Sequence, residues 1–245
     1  MAEDTRIRLG TLAGQARDAK SASTEIDEGL RAYMLRVYNY MASGVALTGI
    51  VAYIVANVEV LATLIFGTPL QWIVMFAPLV LVFMLSARIG KMRAATAQAW
   101  FWAFAGLMGL SLASVFIVFT GESIARVFFF TAATFGAMSL YGYTTKRDLS
   151  RLGSFLFMGL IGIVIAMVVN LFIGSSALQF AISVIGVLVF VGLTAYDTQK
   201  IKGEYLATDS GELVTKKAIM GALRLYLDFI NLFIMLLHLF GVARD

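Results

Sequence analysis

The chain has 245 residues, of which 60% are hydrophobic and 14% charged, with a net charge of +4 and a mean hydropathy of +0.86. Soluble domains run near about 45–50% apolar and about 25% charged, so a soluble fold of this size could not hide so much apolar surface, and the small charge, divided among apolar blocks, excludes a nucleic-acid patch. With no cysteine and a single histidine, His238, the chain cannot form disulfides, thiolate nucleophiles, Cys-based metal sites or a histidine cluster.

In chain order, residues 1–36 come first, polar and mixed in charge, without the apolar core of a signal peptide. They are expected to form a cytoplasmic N-terminal segment ahead of a transmembrane domain over 37–242. A membrane helix needs about 20 mostly apolar residues. That ruler picks out 37–57, 70–87, 97–119, 123–143, 152–173, 178–198 and 223–242. Most connections are short; the exception is 200–222, polar and of both charge signs. The prediction is an all-α membrane protein, a seven-transmembrane-helix bundle. Six crossings with a re-entrant last segment is the other reading, but 223–242 is long and apolar enough to span.

Charge in the connections sets the orientation. Arg88, Lys91 and Arg93 follow the second block, Lys146, Arg147 and Arg151 the fourth, and Lys200, Lys202, Lys216 and Lys217 the sixth. The alternate connections hold Glu59 and Glu122, with Arg126 as the lone nearby base. Basic loops stay cytoplasmic, so the N-terminus is expected there too. Small residues recur four apart at Gly109 and Ala113, Ala132 and Gly136, and Gly162 and Ala166, a spacing that suits close helix packing in lipid.

Ionisable residues inside apolar helices are costly and usually face the bundle interior or water. Asp197 lies three residues before Lys200, and Asp228 four residues after Arg224. The two helices run antiparallel. With Lys200 and Arg224 at the same interface, both carboxyls lie roughly 5 Å inside it at 1.5 Å per residue. Two arrangements are open. Each aspartate can pair with its own base, Asp197 with Lys200 and Asp228 with Arg224. Alternatively the aspartates can face each other, sharing one proton as a pH-sensitive latch. Doubly ionised, such a pair repels and offers hard oxygens to Ca²⁺. The last helix also carries Arg224, Asp228, Asn231, Met235 and His238 on one face. That polar stripe places the C-terminal helix in the centre of the bundle.

The segments Ala195-Tyr-Asp-Thr-Gln-Lys-Ile-Lys202 and Leu225-Tyr-Leu-Asp-Phe-Ile-Asn-Leu-Phe233 resemble those of the Bax inhibitor-1 (transmembrane Bax inhibitor motif) family. Thr144-Thr-Lys-Arg-Asp-Leu-Ser150, followed by Gly153 and Phe155, resembles the family's loop after the fourth helix. The resemblance covers roughly 31–241. It implies a seven-helix bundle with the last helix central and a pH-sensitive Ca²⁺ leak, with Asp197 and Asp228 matching the family's paired aspartates. It also implies an arginine of the second helix near that pair, for which Arg88 is the candidate. Compact size points to a bacterial inner-membrane member.

The leading expectation is therefore a passive Ca²⁺ (cation) leak channel in the bilayer, needing no cofactor. Asp197 and Asp228 would serve as gate and cation ligands, with Arg88, Tyr196, Arg224 and Asn231 in support. The alternative is a regulator that binds a membrane quality-control protease, with the polar leader 1–36 as its handle. Catalysis is not expected. No Gly-x-Ser-Gly stands in a helix, and Leu225-Tyr-Leu-Asp228 lacks the glycines of the Gly-x-Gly-Asp pattern of intramembrane aspartyl proteases.

Overall fold

The computed structural model describes residues 2–244, with side chains described from Asp27 onward. Among the described residues eight α-helices follow in order: α1 (Ala2–Asn57), α2 (Glu59–Phe66), α3 (Leu70–Arg88), α4 (Ala94–Val118), α5 (Gly121–Thr144), α6 (Ser150–Ile173), α7 (Ser176–Gly203) and α8 (Gly211–Phe240). Seven segments among the described residues are long and apolar enough to cross a bilayer: Asp27–Asn57 of α1, Leu70–Lys91, and α4 to α8. The chain is thus an all-α membrane bundle. The polar leader and the first span form one helix, since α1 runs unbroken through residues 36 and 37. Most of the segment suggested as a partner's handle lies outside the described side chains.

Hydropathy finds the spans but not their ends. The capping hydroxyls mark where the helices begin. Thr120, Ser175 and Ser210 accept from the backbone N–H of Ser123, Leu178 and Leu213, each three residues on, satisfying donors the first turn leaves orphaned. Ser210 thereby starts α8 twelve residues before the apolar block. The expected connection over 200–222 shrinks to residues 204–210. The added turns are amphipathic, with Ala218, Ile219 and Ala222 buried. Gly174 closes α6 in the left-handed region at φ 66°, where a glycine has no Cβ to clash. Helix α2 has only eight residues, below the length that a 20-residue ruler can detect.

Helix α8 sits in the middle. Of its most apolar window 72% is buried, against 11% for α6. It packs against α1, α4, α5 and α7, while α6 leans mainly on α7. Leu171 and Phe172 of α6 are 79% and 83% exposed, as lipid-facing side chains are. Hydroxyl bridges bind the layers together. The Thr48 hydroxyl donates to the Ala105 carbonyl at 2.8 Å. The Tyr226 hydroxyl is therefore the donor in its 2.6 Å contact with Thr48, joining α1, α4 and α8. A second chain runs Tyr38–Ser139–Thr198 at 2.7 and 2.9 Å across α1, α5 and α7. Interhelical bonds of this kind contribute about 0.6 kcal/mol each in membranes.

Of the three small-residue pairs, one packs as expected. A Cβ on Gly109 would meet Val51 and the Thr48 carbonyl, and Ala113 is fully buried. Gly136 and Gly162 face open space instead. Closer approach occurs at Gly142, where α5 runs so tightly past α7 that a Cβ would strike the carbonyl oxygen of Ala195.

Candidate functional site

The α7–α8 contact follows one antiparallel register. Glu204 meets Arg224, Asp197 meets Asp228, Gly186 meets Met235 and Gln179 meets His238. The four α8 residues fall on the stripe read from the sequence. Its Asp228 and Met235 are buried against α7, while Arg224 and Asn231 are half-buried on its flank and His238 is exposed.

At the second step of this register the carboxyls of Asp197 and Asp228 lie within hydrogen-bonding reach of each other. Asp228 is 5% exposed and Asp197 half-buried. The Oδ2 atom of Asp228 is buried with no hydrogen-bond partner among the described residues. Both line a cavity of about 650 Å³ between α6, α7 and α8, together with Tyr196, Lys200, Arg224 and Asn231. Asn231 donates its amide N–H to the Leu227 carbonyl at 2.8 Å, leaving its side-chain oxygen for the cavity.

Local neutralisation is not the arrangement found. Arg224 turns to Glu204, Nη1 to Oε1 at 2.6 Å, and Lys200 Nζ stands 5.6 Å from the Tyr196 ring centroid. Neither aspartate is in an ion pair among the described residues. Arg88 is a correction to the sequence reading. It ends α3 exposed, and α3 packs on α4 rather than on α7 or α8. A base at a helix end has the right depth for the pair, but α3 stands on the wrong side of the bundle. Tyr196 is a wall and not a holder: its ring rests on Gly153 of α6, so closely that a Cβ there would strike it.

The rest of the α7 motif grips the loop between α5 and α6. The Gln199 side chain accepts from Leu149 N–H at 2.9 Å and donates to the Arg147 carbonyl at 2.8 Å. Lys202 donates to the Tyr143 carbonyl at the end of α5 at 2.8 Å. Thr198 meets Ser139. The two polar motifs singled out in the sequence, around 144–150 and 195–202, are thus two halves of one contact. Sequence reading missed Glu204, whose signal was its place at the end of a helix one connection away from Arg224. It also missed Tyr33, buried with its hydroxyl unpartnered among the described residues and its ring 5.6 Å from that of Tyr205.

The profile of the family described as "Inhibitor of apoptosis-promoting Bax1" matches residues 30–245. The chain belongs to this family. Its relatives in the Bax inhibitor family include the uncharacterized protein RP147 of Rickettsia prowazekii, 52% identical over 225 residues, which cover 92% of this chain and 95% of the relative. The inner membrane protein YbhL of Escherichia coli K12 is 52% identical over 219 residues, covering 88% and 94%. An uncharacterized protein of Caulobacter vibrioides is 45% identical over 244 residues, covering 95% and 98%. This Bax inhibitor-family chain is accordingly an integral membrane protein of seven spans, with the paired aspartates near the middle of its central helix.

Proposed function

We propose that the chain is a pH-sensitive passive leak for Ca²⁺, seated in a bacterial inner membrane with its N-terminus and basic loops in the cytoplasm. One observation carries the reading. Two carboxyls from neighbouring helices share a buried spot beside a cavity, and neither is in an ion pair among the described residues. Two carboxylates cannot both ionise cheaply in a low dielectric, so the pair holds one proton between them. In that state it is a hydrogen-bonded latch across α7 and α8. As pH rises the shared proton leaves, the charges repel, and the α7–α8 contact loosens. The bared oxygens, with the Asn231 amide oxygen, are hard ligands of the kind Ca²⁺ takes.

The donor set suits a passing ion better than a resident one. A held Ca²⁺ takes about 6–8 oxygens, and no cluster of three or more acidic or histidine side chains occurs among the described residues. Weak ligation lets the ion leave again, which conduction requires.

The test is Ca²⁺ uptake into proteoliposomes across a pH series. Wild-type flux should rise with pH. Asp228→Asn should hold flux low and flat, because an amide N–H donates to the Asp197 carboxylate at every pH and the latch stays shut. A change of about tenfold at the high-pH end is the expected scale, equivalent to roughly 1.4 kcal/mol of latch energy. Flux with the same pH profile in Asp197→Asn and Asp228→Asn as in the wild type would sink the reading.

A further inference from the structure

A second cavity lies on the opposite flank of α7, between α1 and α5. The two helices scarcely pack there, and the Tyr38–Ser139 hydrogen bond bridges them. The gap encloses about 610 Å³, within the about 300–1,000 Å³ of ligand pockets. Met34, Leu35, Phe135 and Leu140 form its walls. Leu35 and Leu140 are 51% and 64% exposed, so the slot opens sideways into the bilayer. Gly136 widens it, since a Cβ there would meet nothing within 4 Å. Water gains little in such a slot, because it finds few polar partners. An acyl chain fits it.

The slot is not apolar throughout. Arg31 is the one charged side chain in its wall among the described residues, beside Tyr143 at the basic end of the bundle. Lys202 stands over the same tyrosine, its Nζ 4.9 Å from the ring centroid. Arg31 in the wall of an apolar slot, with Lys202 held close by on the Tyr143 carbonyl, matches a molecule with an anionic head and a hydrocarbon tail. Basic pockets between membrane helices on the cytoplasmic side bind such headgroups. A zwitterionic lipid brings its own cation towards Arg31 and Lys202, and a free anion makes no use of the slot.

We propose that the α1–α5 slot holds one anionic phospholipid, its phosphate at Arg31 and one acyl chain along Leu35, Phe135, Gly136 and Leu140. The bound chain would lie against Tyr38 and Ser139, which pass through a hydrogen bond to Thr198, the neighbour of Asp197. Lipid occupancy would thus brace α7 beside the aspartate pair, although the binding itself does not depend on the leak.

The detergent-purified full chain is titrated separately with phosphatidylglycerol, phosphatidylcholine and inorganic phosphate, and adducts are counted by native mass spectrometry. One phosphatidylglycerol per chain should be retained, with phosphatidylcholine and phosphate weaker by about tenfold or more. Arg31→Gln and Gly136→Leu should each weaken phosphatidylglycerol binding by a similar factor, and Arg31→Lys should keep most of it. Melting curves of the lipid-free variants establish that they are folded. Phosphatidylglycerol held equally well by Arg31→Gln, or phosphatidylcholine or phosphate bound as tightly as phosphatidylglycerol, would overturn the assignment.

Discussion

At the basic end of the bundle, α7 is held by parts that cannot yield. The Ala195 carbonyl presses on Gly142, and the Tyr196 ring on Gly153. Gln199 and Lys202 tie the same stretch to backbone groups of the neighbouring loop and helix. In the other half of α7, a Cβ on Gly186 would meet the Sδ of Met235 at 2.8 Å, part of a flexible side chain that can move aside. The polar groups there are neutral in pattern: Asn170 donates to Gln179 at 3.2 Å, and Gln179 meets His238 at 3.4 Å. One interface therefore has a rigid end that carries two facing acids and a compliant end that carries none. A titrating pair can change the helix contact sharply only where its surroundings do not absorb the repulsion.

Single methyl groups test this contrast most severely. Gly142→Ala forces α5 away from the Ala195 backbone and should cost about 1–3 kcal/mol or more, as overpacking does. Gly186→Ala should cost less than about 1 kcal/mol, because the Met235 thioether can swing clear. Thermal melting of the two variants in detergent measures the difference directly. Equal losses would mean that the two ends of α7 are equally stiff, and the comparison would fail.

The bilayer explains what could be read in the sequence. A span needs about 20 apolar residues, so all seven appear in the hydropathy, and antiparallel spans with bases at matched depth place Asp197 and Asp228 level. Depth is legible; azimuth is not. Arg88 has the right depth but belongs to a helix that faces α4. Gly136 and Gly162 have packing spacing but point into open space. The added turns of α8 escaped because residues 211–222 mix lysines with buried alanine and isoleucine, which a hydropathy window averages to polar. The Arg224–Glu204 pair depends on the path of the 204–210 connection, which no spacing within a helix encodes.

A milder way to probe the rigid end is to remove the grip of Gln199. Gln199→Leu leaves the Leu149 N–H and the Arg147 carbonyl without their partner. Leu149 is 6% exposed, so an unpaired group there should cost about 1–3 kcal/mol. The loss should be local, seen as faster amide exchange at Leu149 and across residues 145–149, with the aspartate pair still titrating in flux assays. Unchanged exchange at Leu149 would show that the loop holds itself and that the α7 motif does not clamp it.

The smallest effect should come from the same loop, outside the membrane. The Asp148 carboxylate accepts from the Ser150 backbone N–H at 2.9 Å, at the first turn of α6. Hydrogen bonding by Ser150, through its side chain and then its backbone, holds the Asp148 carboxyl below its ordinary range. A depressed value in the folded state means that the ionised form is the one favoured by folding. Its stabilisation is therefore present above the ordinary carboxylate range and lost as pH falls through the lowered value. The residue is fully exposed, so solvent screening keeps the contribution slight. Asp148→Asn should melt a little below wild type at neutral pH, and the gap should close in acid, where both carry a neutral side chain that can still accept from Ser150. A gap that persists unchanged into acid would mean that the charge contributes nothing and that Asp148 matters only for its shape.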